Sequence, residues 1–321
     1  MKRLISKSLI NFLISRDRQF LMGIHPDQSI NFDLILKDTN KYLELANLTN
    51  ISSNFDQIHP TWNQFGTQIH QQILLSPQIN FFAAPVIRET MVSASLRGCF
   101  FVDLDQQIKY IFKELGDTIS VSLLHEDLIG CPLLLRPNMF NSSAGRVLHL
   151  YQLALALASY KKVGKSLQSV IEWGGGFGGL ASLFKRLVPS LTYTIIDIPE
   201  VLCVQKLYLD AILGLNTCVF NNTDSVVPGK INLFSVVNPS LYENLISDLF
   251  VSAWALSESS LDSQLLVKSN QFFQASSILL AFQRPSNRHP YSLIPSDIAK
   301  SIYSEIHAQK ILRTETILTA Y

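Results

Sequence analysis

The chain is poor in charge, in cysteine and in long apolar runs. Only 16% of its 321 residues are charged, and 26 basic side chains nearly balance 25 acidic ones. No long basic run is present, so a nucleic-acid backbone is not an expected partner. The four cysteines stand far apart, which favours buried apolar positions over a disulfide framework or a redox pair. No apolar run reaches the roughly 18 residues that a membrane span needs.

The composition otherwise predicts an ordered chain with a substantial core. Hydrophobic residues make up 47% of the sequence, which argues against disorder, and the length allows one large domain or two ordinary ones. Residues 1–7 are basic and amphipathic, but no small-residue cleavage site follows a long apolar core. We therefore expect a first helix rather than a targeting peptide, and a cytoplasmic protein.

The most informative stretch is a glycine-rich segment between a strand pattern and a helix pattern. Residues 169–171 predict the end of a buried strand, and five glycines lie between Gly174 and Gly179 inclusive. Leu180, Leu183 and Leu187 then recur at helical spacing. Such a strand, turn and helix let the backbone approach a ligand closely and offer free N–H groups at the helix start.

Two classes of nucleotide-like ligand fit this stretch. The spacing Gly-x-Gly-x-x-Gly from Gly174, with Asp197 ending the next predicted strand, matches the dinucleotide fingerprint, in which the acid binds a ribose. The spacing Glu172-x-Gly-x-Gly-x-Gly matches the first motif of class I methyltransferases, which bind S-adenosylmethionine. Glu172 favours the second class, because that donor carries an ammonium and a sulfonium and no pyrophosphate. A glycine turn that binds nothing is the third interpretation.

Other segments extend the likeness to one family. The runs Glu172-Trp-Gly-Gly-Gly-Phe-Gly-Gly-Leu-Ala and Ile196-Asp-Ile-Pro-Glu-Val, followed by Gln205 and Tyr208-Leu, resemble the sugar O-methyltransferase family. Trp254-Ala-Leu-Ser-Glu resembles a later segment of that family, and the resemblance covers residues 146–284. Trp173 departs from the pattern, in which a small or β-branched apolar residue is usual.

The resemblance implies a fold, an activity and a donor site. The fold is α/β, a Rossmann-like class I methyltransferase sheet with helices on both faces. The activity is transfer of a methyl group from S-adenosylmethionine to a hydroxyl of a sugar or sugar-containing metabolite. The alternatives are an NAD(P)-dependent oxidoreductase and a non-catalytic, methyltransferase-like binding subunit. The expected donor-binding residues are Glu172, Gly174, Gly175, Gly176, Gly178, Asp197, Ile198, Asp224 and Ser257.

The chain divides by pattern into two parts. Residues 1–140 are mostly helical in pattern and predict a lobe that shapes the acceptor pocket or forms a homodimer contact, whereas residues 141–321 predict the donor-binding domain. Apolar spacing predicts helices over residues 33–48, 65–74, 87–96, 106–115, 144–160, 180–187, 199–213 and 294–307. Strands are predicted over residues 191–197, 217–220, 231–237, 248–256, 276–283 and 310–319.

The candidate catalytic residues follow from the predicted strand ends. Ligands bind at the carboxyl edge of a parallel sheet, so Ser257 and Glu258, after the strand at 248–256, are expected beside the methyl group. A sugar hydroxyl is a poor nucleophile near neutral pH, and Glu258 is the first candidate for a general base. An acid that caps a helix or pairs with an arginine is the alternative. His149 and His289 are weaker candidates.

The expectations for three further features are more open. Arg146 and His149 lie on the predicted helix before the first strand and could reach the donor, although a structural histidine is the favoured interpretation of His149. Asp224 follows the strand at 217–220, where this fold often contacts the adenine, and a simple turn acid is the alternative. No cluster of His, Asp and Glu has ligand spacing, so no metal is predicted.

Overall fold

The computed structural model describes residues 26–37, 58–91, 104–134, 140–283, 299–300, 302–303, 306–312 and 315–320. Several predicted features lie outside these residues: the first helix, the part of the helix at 33–48 beyond residue 37, and His289.

The described residues between 26 and 124 are mostly helical, as the sequence predicts. The helices at 65–74 and 106–115 are confirmed, and the former begins earlier because Pro60 starts it and His59 Nδ1 accepts a hydrogen bond from Thr61 N. The last turn of that helix widens into a π-helix over His70–Leu74. The helices are α1 (Pro26–Lys37), α2 (Pro60–Ile69), α3 (Pro85–Thr90), α4 (Leu104–Leu115) and α5 (Asp117–Leu124).

The long helix before the first strand is confirmed with the predicted bounds. This helix, α6 (Ala144–Tyr160), begins at the cap Ser143, whose hydroxyl accepts a hydrogen bond from Arg146 N at 2.9 Å. One apolar core runs from Phe32 on α1 through α6 to Ala281 in the sheet. Packing therefore crosses the predicted domain boundary at residue 140, and that boundary stays a prediction.

An eight-stranded sheet forms the centre of the protein. Its order is β3-β4-β2-β1-β5-β6-β8-β7, and the first six strands in this order are parallel, whereas β8 pairs antiparallel with both β6 and β7. The strands are β1 (Ser169–Trp173), β2 (Thr192–Asp197), β3 (Cys218–Phe220), β4 (Ile231–Ser235), β5 (Leu249–Ala253), β6 (Ser277–Gln283), β7 (Ile306–Leu312) and β8 (Glu315–Ala320). The predicted α/β fold with a Rossmann-like sheet is confirmed.

The connections place helices on both faces. Helix α7 (Gly179–Leu187) joins β1 to β2, and α8 (Pro199–Leu213) follows β2. After each of these strands the chain moves across the sheet in the same direction, so both helices lie on one face. Two short helices, α9 (Ala255–Glu258) and α10 (Leu261–Ser269), join β5 to β6 in the opposite direction, which places α10 on the other face. The strand order reverses between β1 and β5, and the crevice at such a switch point is where this architecture binds ligands.

Several predicted elements differ from the structure. The helix predicted at 87–96 begins at Pro85 and ends at Thr90, and residues 92–96 lie outside the described residues. The strand predicted at 248–256 ends at Ala253, because Trp254 has φ +68° and turns the chain into α9. The single strand predicted at 310–319 is the hairpin of β7 and β8. Residues 306 and 307 of the helix predicted at 294–307 belong to β7, although residues 299–300 are helical.

A buried ionic cluster binds the helical lobe to the sheet domain. The Arg146 guanidinium pairs with Glu126, through Nε and Oε1 at 3.1 Å, and also with Asp127. Arg186 donates to Asp127 Oδ1 at 2.7 Å, and Gln28 of α1 donates to the same oxygen at 2.9 Å. The two arginines outweigh the cost of burial and lower the pKa of Asp127. The expectation that Arg146 could reach the donor stays a prediction, which the enclosure of its guanidinium by these carboxylates weakens.

Candidate functional site

The glycine turn lies at the carboxyl end of β1, beside the end of β2. Gly174 N donates to the carbonyl of Ile196 at 2.9 Å, and Gly175 N donates to Asp197 Oδ2 at 3.0 Å. Gly178 N then donates to the carbonyl of Gly175 at 2.9 Å, which closes the turn just before α7 begins. The structure thus brings the glycines and Asp197 together as the sequence predicts.

Two glycines of this turn have different surroundings. Gly174 has φ +74°, and an added Cβ would lie 2.0 Å from Ala255 Cβ, so this glycine lets α9 approach the turn. Gly176 has φ +55°, and no heavy atom of the described chain beyond its neighbours lies within 4 Å of an added Cβ. Only Gly176 therefore faces open space, which a ligand would fill.

Asp197 is held by three donors. Its Oδ1 accepts from Ile198 N at 2.8 Å, and its Oδ2 accepts from both Gly175 N and Gln205 Nε2, the latter at 2.7 Å. Burial raises the pKa of Asp197 to about 7, although these donors lower it, and the charge of Glu200 raises it further. Since a carboxylate has about four acceptor positions, one position remains on Oδ1 for a ligand.

Gln205 is a site residue to which the sequence assigned no role. It is 0% exposed, and its Nε2 also donates to the carbonyl of Gly176 at 3.0 Å, so it ties α8 to the glycine turn. Its Oε1 has no hydrogen-bond partner among the described residues, and the same is true of Ser235 Oγ on β4, which pairs with Asp197 across the strands. An amide within an apolar helix was the signal that could have identified Gln205.

Glu172 is buried beneath the turn. Its side chain is 2% exposed, and Oε2 accepts a hydrogen bond from the hydroxyl of Tyr193 at 2.8 Å. Burial raises the pKa of Glu172 to about 8, and the charge of Asp197 adds to this rise against the opposing hydrogen bond from Tyr193. The carboxyl group is therefore mostly protonated at neutral pH.

The raised pKa of Glu172 predicts that the stability of the protein depends on pH. The variant Glu172→Gln should lack this part of the pH dependence. Glu172 has an ordinary pKa of 4.5 and a folded pKa of about 8, so its contribution is complete below 4.5 and is lost as pH rises through about 8. The loss is on the order of a few kcal/mol. Glutamine keeps an oxygen for the Tyr193 hydroxyl but does not titrate. We expect thermal melting between pH 5 and pH 8 to show a smaller fall in Tm for Glu172→Gln than for the wild type.

The control for this measurement is Glu243→Gln, which removes a carboxylate from an exposed position. That variant should keep the pH dependence of the wild type. An unchanged pH dependence in Glu172→Gln would show that the Glu172 carboxyl ionises in the folded protein as it does in the unfolded chain.

Aromatic side chains join the helical lobe to the glycine turn. Phe177, within the turn, contacts Phe82 of the lobe with ring centroids 4.7 Å apart and Tyr208 of α8 at 5.1 Å. His149 of α6 also contacts Phe177, at 5.7 Å. The lobe therefore lies directly against the candidate donor site.

His149 lies next to the start of α7. Its Nδ1 would be 2.5 Å from a Cβ added to Gly179, at the start of α7. Burial, assisted by the charge of Arg146, lowers the pKa of His149 to about 4, so the ring is neutral at pH 7 and a poor acceptor for a proton. Its catalytic role stays a prediction that these features weaken.

Ser257 and Glu258 lie on α9 rather than on the end of a strand. The Ser257 hydroxyl donates to the carbonyl of Trp254 at 2.7 Å, and its side chain is buried. Glu258 is partly exposed at the other end of this helical turn. Because Ala255 packs against Gly174, α9 is adjacent to the glycine turn across the switch point.

Asp224 lies apart from Asp197 in the sheet. It is exposed and follows β3, an edge strand, so that β4 separates that strand from β2. The position beside Asp197 belongs instead to Ser235 and Val236, whose N donates to the carbonyl of Asp197 at 2.9 Å. The contact of Asp224 with an adenine stays a prediction.

The described residues contain neither a cluster suited to a metal ion nor a helix suited to span a membrane. No group of three or more His, Cys, Asp and Glu residues in this part of the chain has a geometry that could hold a metal ion. No helix within the same residues has both the length and the apolar character to span a membrane.

Comparisons with known proteins give structural similarity at low sequence identity. No protein-family profile matches the chain, and neither does any curated protein sequence. The solved structure of PigF with SAH has 12% identity and a TM-score of 0.36, over 78% of this chain and 77% of that one. An O-methyltransferase family protein from Burkholderia thailandensis has 11% identity and a TM-score of 0.36, over 78% of this chain and 75% of that one. Human N-acetylserotonin methyltransferase in complex with SAM has 13% identity and a TM-score of 0.33, over 78% of this chain and 73% of that one.

Proposed function

We propose that the protein is an S-adenosylmethionine-dependent O-methyltransferase that acts on a hydroxyl of a small molecule or glycan, with a sugar or sugar-containing metabolite as the acceptor. The observation that carries the proposal is a glycine turn hydrogen-bonded to Asp197, with open space beside Gly176 and one acceptor position left on Asp197. The resemblance of residues 172–209 to sugar O-methyltransferases supports the sugar class.

The residues around the glycine turn fit this donor. Gly176 leaves room for a ligand against the backbone, Asp197 can accept one ribose hydroxyl, and Gln205 Oε1 and Ser235 Oγ are buried polar atoms without a described partner. The Asp197 carboxyl, whose pKa of about 7 leaves it partly ionised at neutral pH, suits the cationic groups of the donor.

The bound donor supplies a methyl group already activated by a sulfonium. The task of the protein is then to align the acceptor hydroxyl, exclude water and remove the proton of that hydroxyl. Glu258 on α9 takes up this proton, and the helical lobe around Phe82 closes the donor side of the crevice against Phe177. The same lobe shapes the acceptor pocket.

The ribose contact of Asp197 provides a test of the donor. Removing the hydroxyl that Asp197 binds should weaken binding to the wild type by about 1.5–3 kcal/mol, the strength of a hydrogen bond to a charged group. The measurement is a calorimetric titration with S-adenosylhomocysteine and its 2′-deoxy and 3′-deoxy analogues, for the wild type and Asp197→Ala. Because Asp197 has one free acceptor position, one of the two analogues should show the loss, and Asp197→Ala should not distinguish it from the parent compound.

Gln205→Ala is the matched control, because it removes another hydrogen bond of the same turn without removing the ribose acceptor. This variant should bind all three compounds more weakly and keep the discrimination against one deoxy analogue. If the wild type binds both analogues as tightly as the parent compound, Asp197 does not contact the ribose.

A further inference from the structure

The indole of Trp173 points away from the face that holds Glu172. Successive side chains of a strand point to opposite faces. Glu172 contacts Tyr193 on the face of α7, whereas the Trp173 ring contacts Tyr242, with centroids 6.2 Å apart, on the other face. Trp173 is 3% exposed. This departure from the family pattern therefore leaves the space at Gly176 open.

Two hydrogen-bonded relays connect Trp173 to α9. Its Nε1 donates to Ser259 Oγ at 2.9 Å, and that hydroxyl donates to the carbonyl of Ala255 at 2.8 Å. The Trp173 carbonyl accepts from Ser252 Oγ at 3.0 Å, and Ser252 Oγ in turn accepts from Leu256 N at 3.0 Å. One residue of β1 thus supplies a donor and an acceptor, each through a serine, to the helical turn that carries Glu258.

Helix α9 needs support from outside. It has four residues, too few for a helix to be stable alone, and the chain enters it through Trp254 at φ +68°, a conformation that non-glycine residues rarely adopt. On its other side, Ala255 packs against Gly174 with no room for a side chain there. The relays from Trp173 and this contact together determine where the turn lies.

We propose that Trp173 is a positioning residue for Glu258, holding α9 in the orientation that directs the carboxylate to the acceptor. The proposal rests on the function proposed above, since it concerns the base of that same site. Trp173 lies between Glu172 and Gly174, so it also connects the donor-binding turn to the base. The small or β-branched apolar residue that is usual at this position has no side-chain donor, whereas Trp173 donates a hydrogen bond that supports α9.

Hydrogen exchange of α9 tests the support directly. Trp173→Phe keeps an aromatic ring and removes the N–H, and Ser259→Ala removes the hydroxyl that receives it. Each should speed amide exchange in residues 254–260 by about three- to tenfold, the equivalent of one lost hydrogen bond, while residues 174–179 exchange as in the wild type. The effect of the double variant should fall short of the sum of the two single effects, because both substitutions remove the link between Trp173 Nε1 and Ser259 Oγ.

Tyr303→Phe is the matched control. Its hydroxyl donates to the carbonyl of Ala275 at 2.9 Å, next to the amino end of β6 and away from the carboxyl edge of the sheet. Removing this hydroxyl costs a hydrogen bond of the same length. Exchange in residues 254–260 should remain at the wild-type rate.

A second measurement reports on Glu258 itself. Protein labelled with [5-13C]glutamate gives a carboxyl-carbon resonance for Glu258, assigned by its loss in Glu258→Gln. This resonance should move in Trp173→Phe and in Ser259→Ala to a similar position, and should stay in place in Tyr303→Phe. A purely structural loss of stability would not select this resonance.

The outcomes separate this proposal from the proposed function. Unchanged exchange in residues 254–260, exchange that rises equally throughout the chain, or a Glu258 resonance that does not move would each overturn the positioning role. Titration of the same proteins with S-adenosylmethionine addresses the donor independently. If Trp173→Phe loosens α9 and moves the resonance but the wild type binds no S-adenosylmethionine, the proposed function fails while the support of α9 by Trp173 stands.

Discussion

Gly176→Leu should abolish donor binding in a protein that still folds. The added side chain projects into the open space beside the glycine turn, where the donor is proposed to lie. We expect affinity for S-adenosylmethionine to fall on the order of 100-fold or more, equivalent to about 2.7 kcal/mol. Calorimetric titration gives the affinity, and thermal melting gives the stability. Gly174 is less suitable for this test, because a side chain there would displace Ala255.

Gly164→Leu is the matched control for Gly176→Leu. Gly164 also has a left-handed backbone, with φ +73°, and no heavy atom of the described chain beyond its neighbours lies within 4 Å of an added Cβ. It precedes β1 and so lies at the opposite edge of the sheet. Both variants should lose about 1–2 kcal/mol of stability through backbone strain, but Gly164→Leu should bind the donor normally. Equal donor affinity in the two variants would show that the donor does not occupy the space at Gly176.

Glu258→Gln should lower the rate of methyl transfer by about 10²–10⁴, the usual contribution of a general base. Glutamine keeps the shape of the side chain and cannot take up the proton of the acceptor hydroxyl. Donor affinity should survive, because Glu258 is assigned to the acceptor. The measurement is single-turnover transfer of a labelled methyl group to the best acceptor in a panel of monosaccharides and glycosides.

Asp262→Asn separates this chemistry from a general effect of charge. Asp262 is an exposed acid in the first turn of α10, a few residues beyond Glu258. Removing its charge should leave the transfer rate within a few-fold of the wild type. Equal rates in Glu258→Gln and the wild type would make Glu258 a structural acid. His149 would then be the next candidate, despite its lowered pKa.

Local patterns predicted much of the fold correctly. Ser143 and the apolar spacing after it identified α6 with its observed bounds, because the cap and the buried stripe are both local features. The end of β5 could not be predicted in this way. Trp254 and Leu256 continue an apolar run, and the left-handed backbone of Trp254 depends on contacts that are distant in sequence, such as the packing of Ala255 against Gly174.

The candidate site was predicted best where its residues are close in sequence. The glycine turn and Asp197 belong to one strand–helix–strand unit, so their meeting follows from its geometry. The ion-pair partners of Arg146 are Glu126 and Asp127, which no local sequence pattern connects to it. Sequence spacing also cannot distinguish Gly174, which touches Ala255, from Gly176, which faces open space, because that difference depends on α9, far along the chain.

Titration of the wild-type protein with S-adenosylmethionine and, separately, with NAD tests the central claim most directly. We predict saturable binding of S-adenosylmethionine at one site for each chain, and no heat of binding with NAD at the same concentrations. Binding of NAD without S-adenosylmethionine would instead support an oxidoreductase. Binding of neither compound would contradict the proposed donor site and leave the glycine turn as a structural feature.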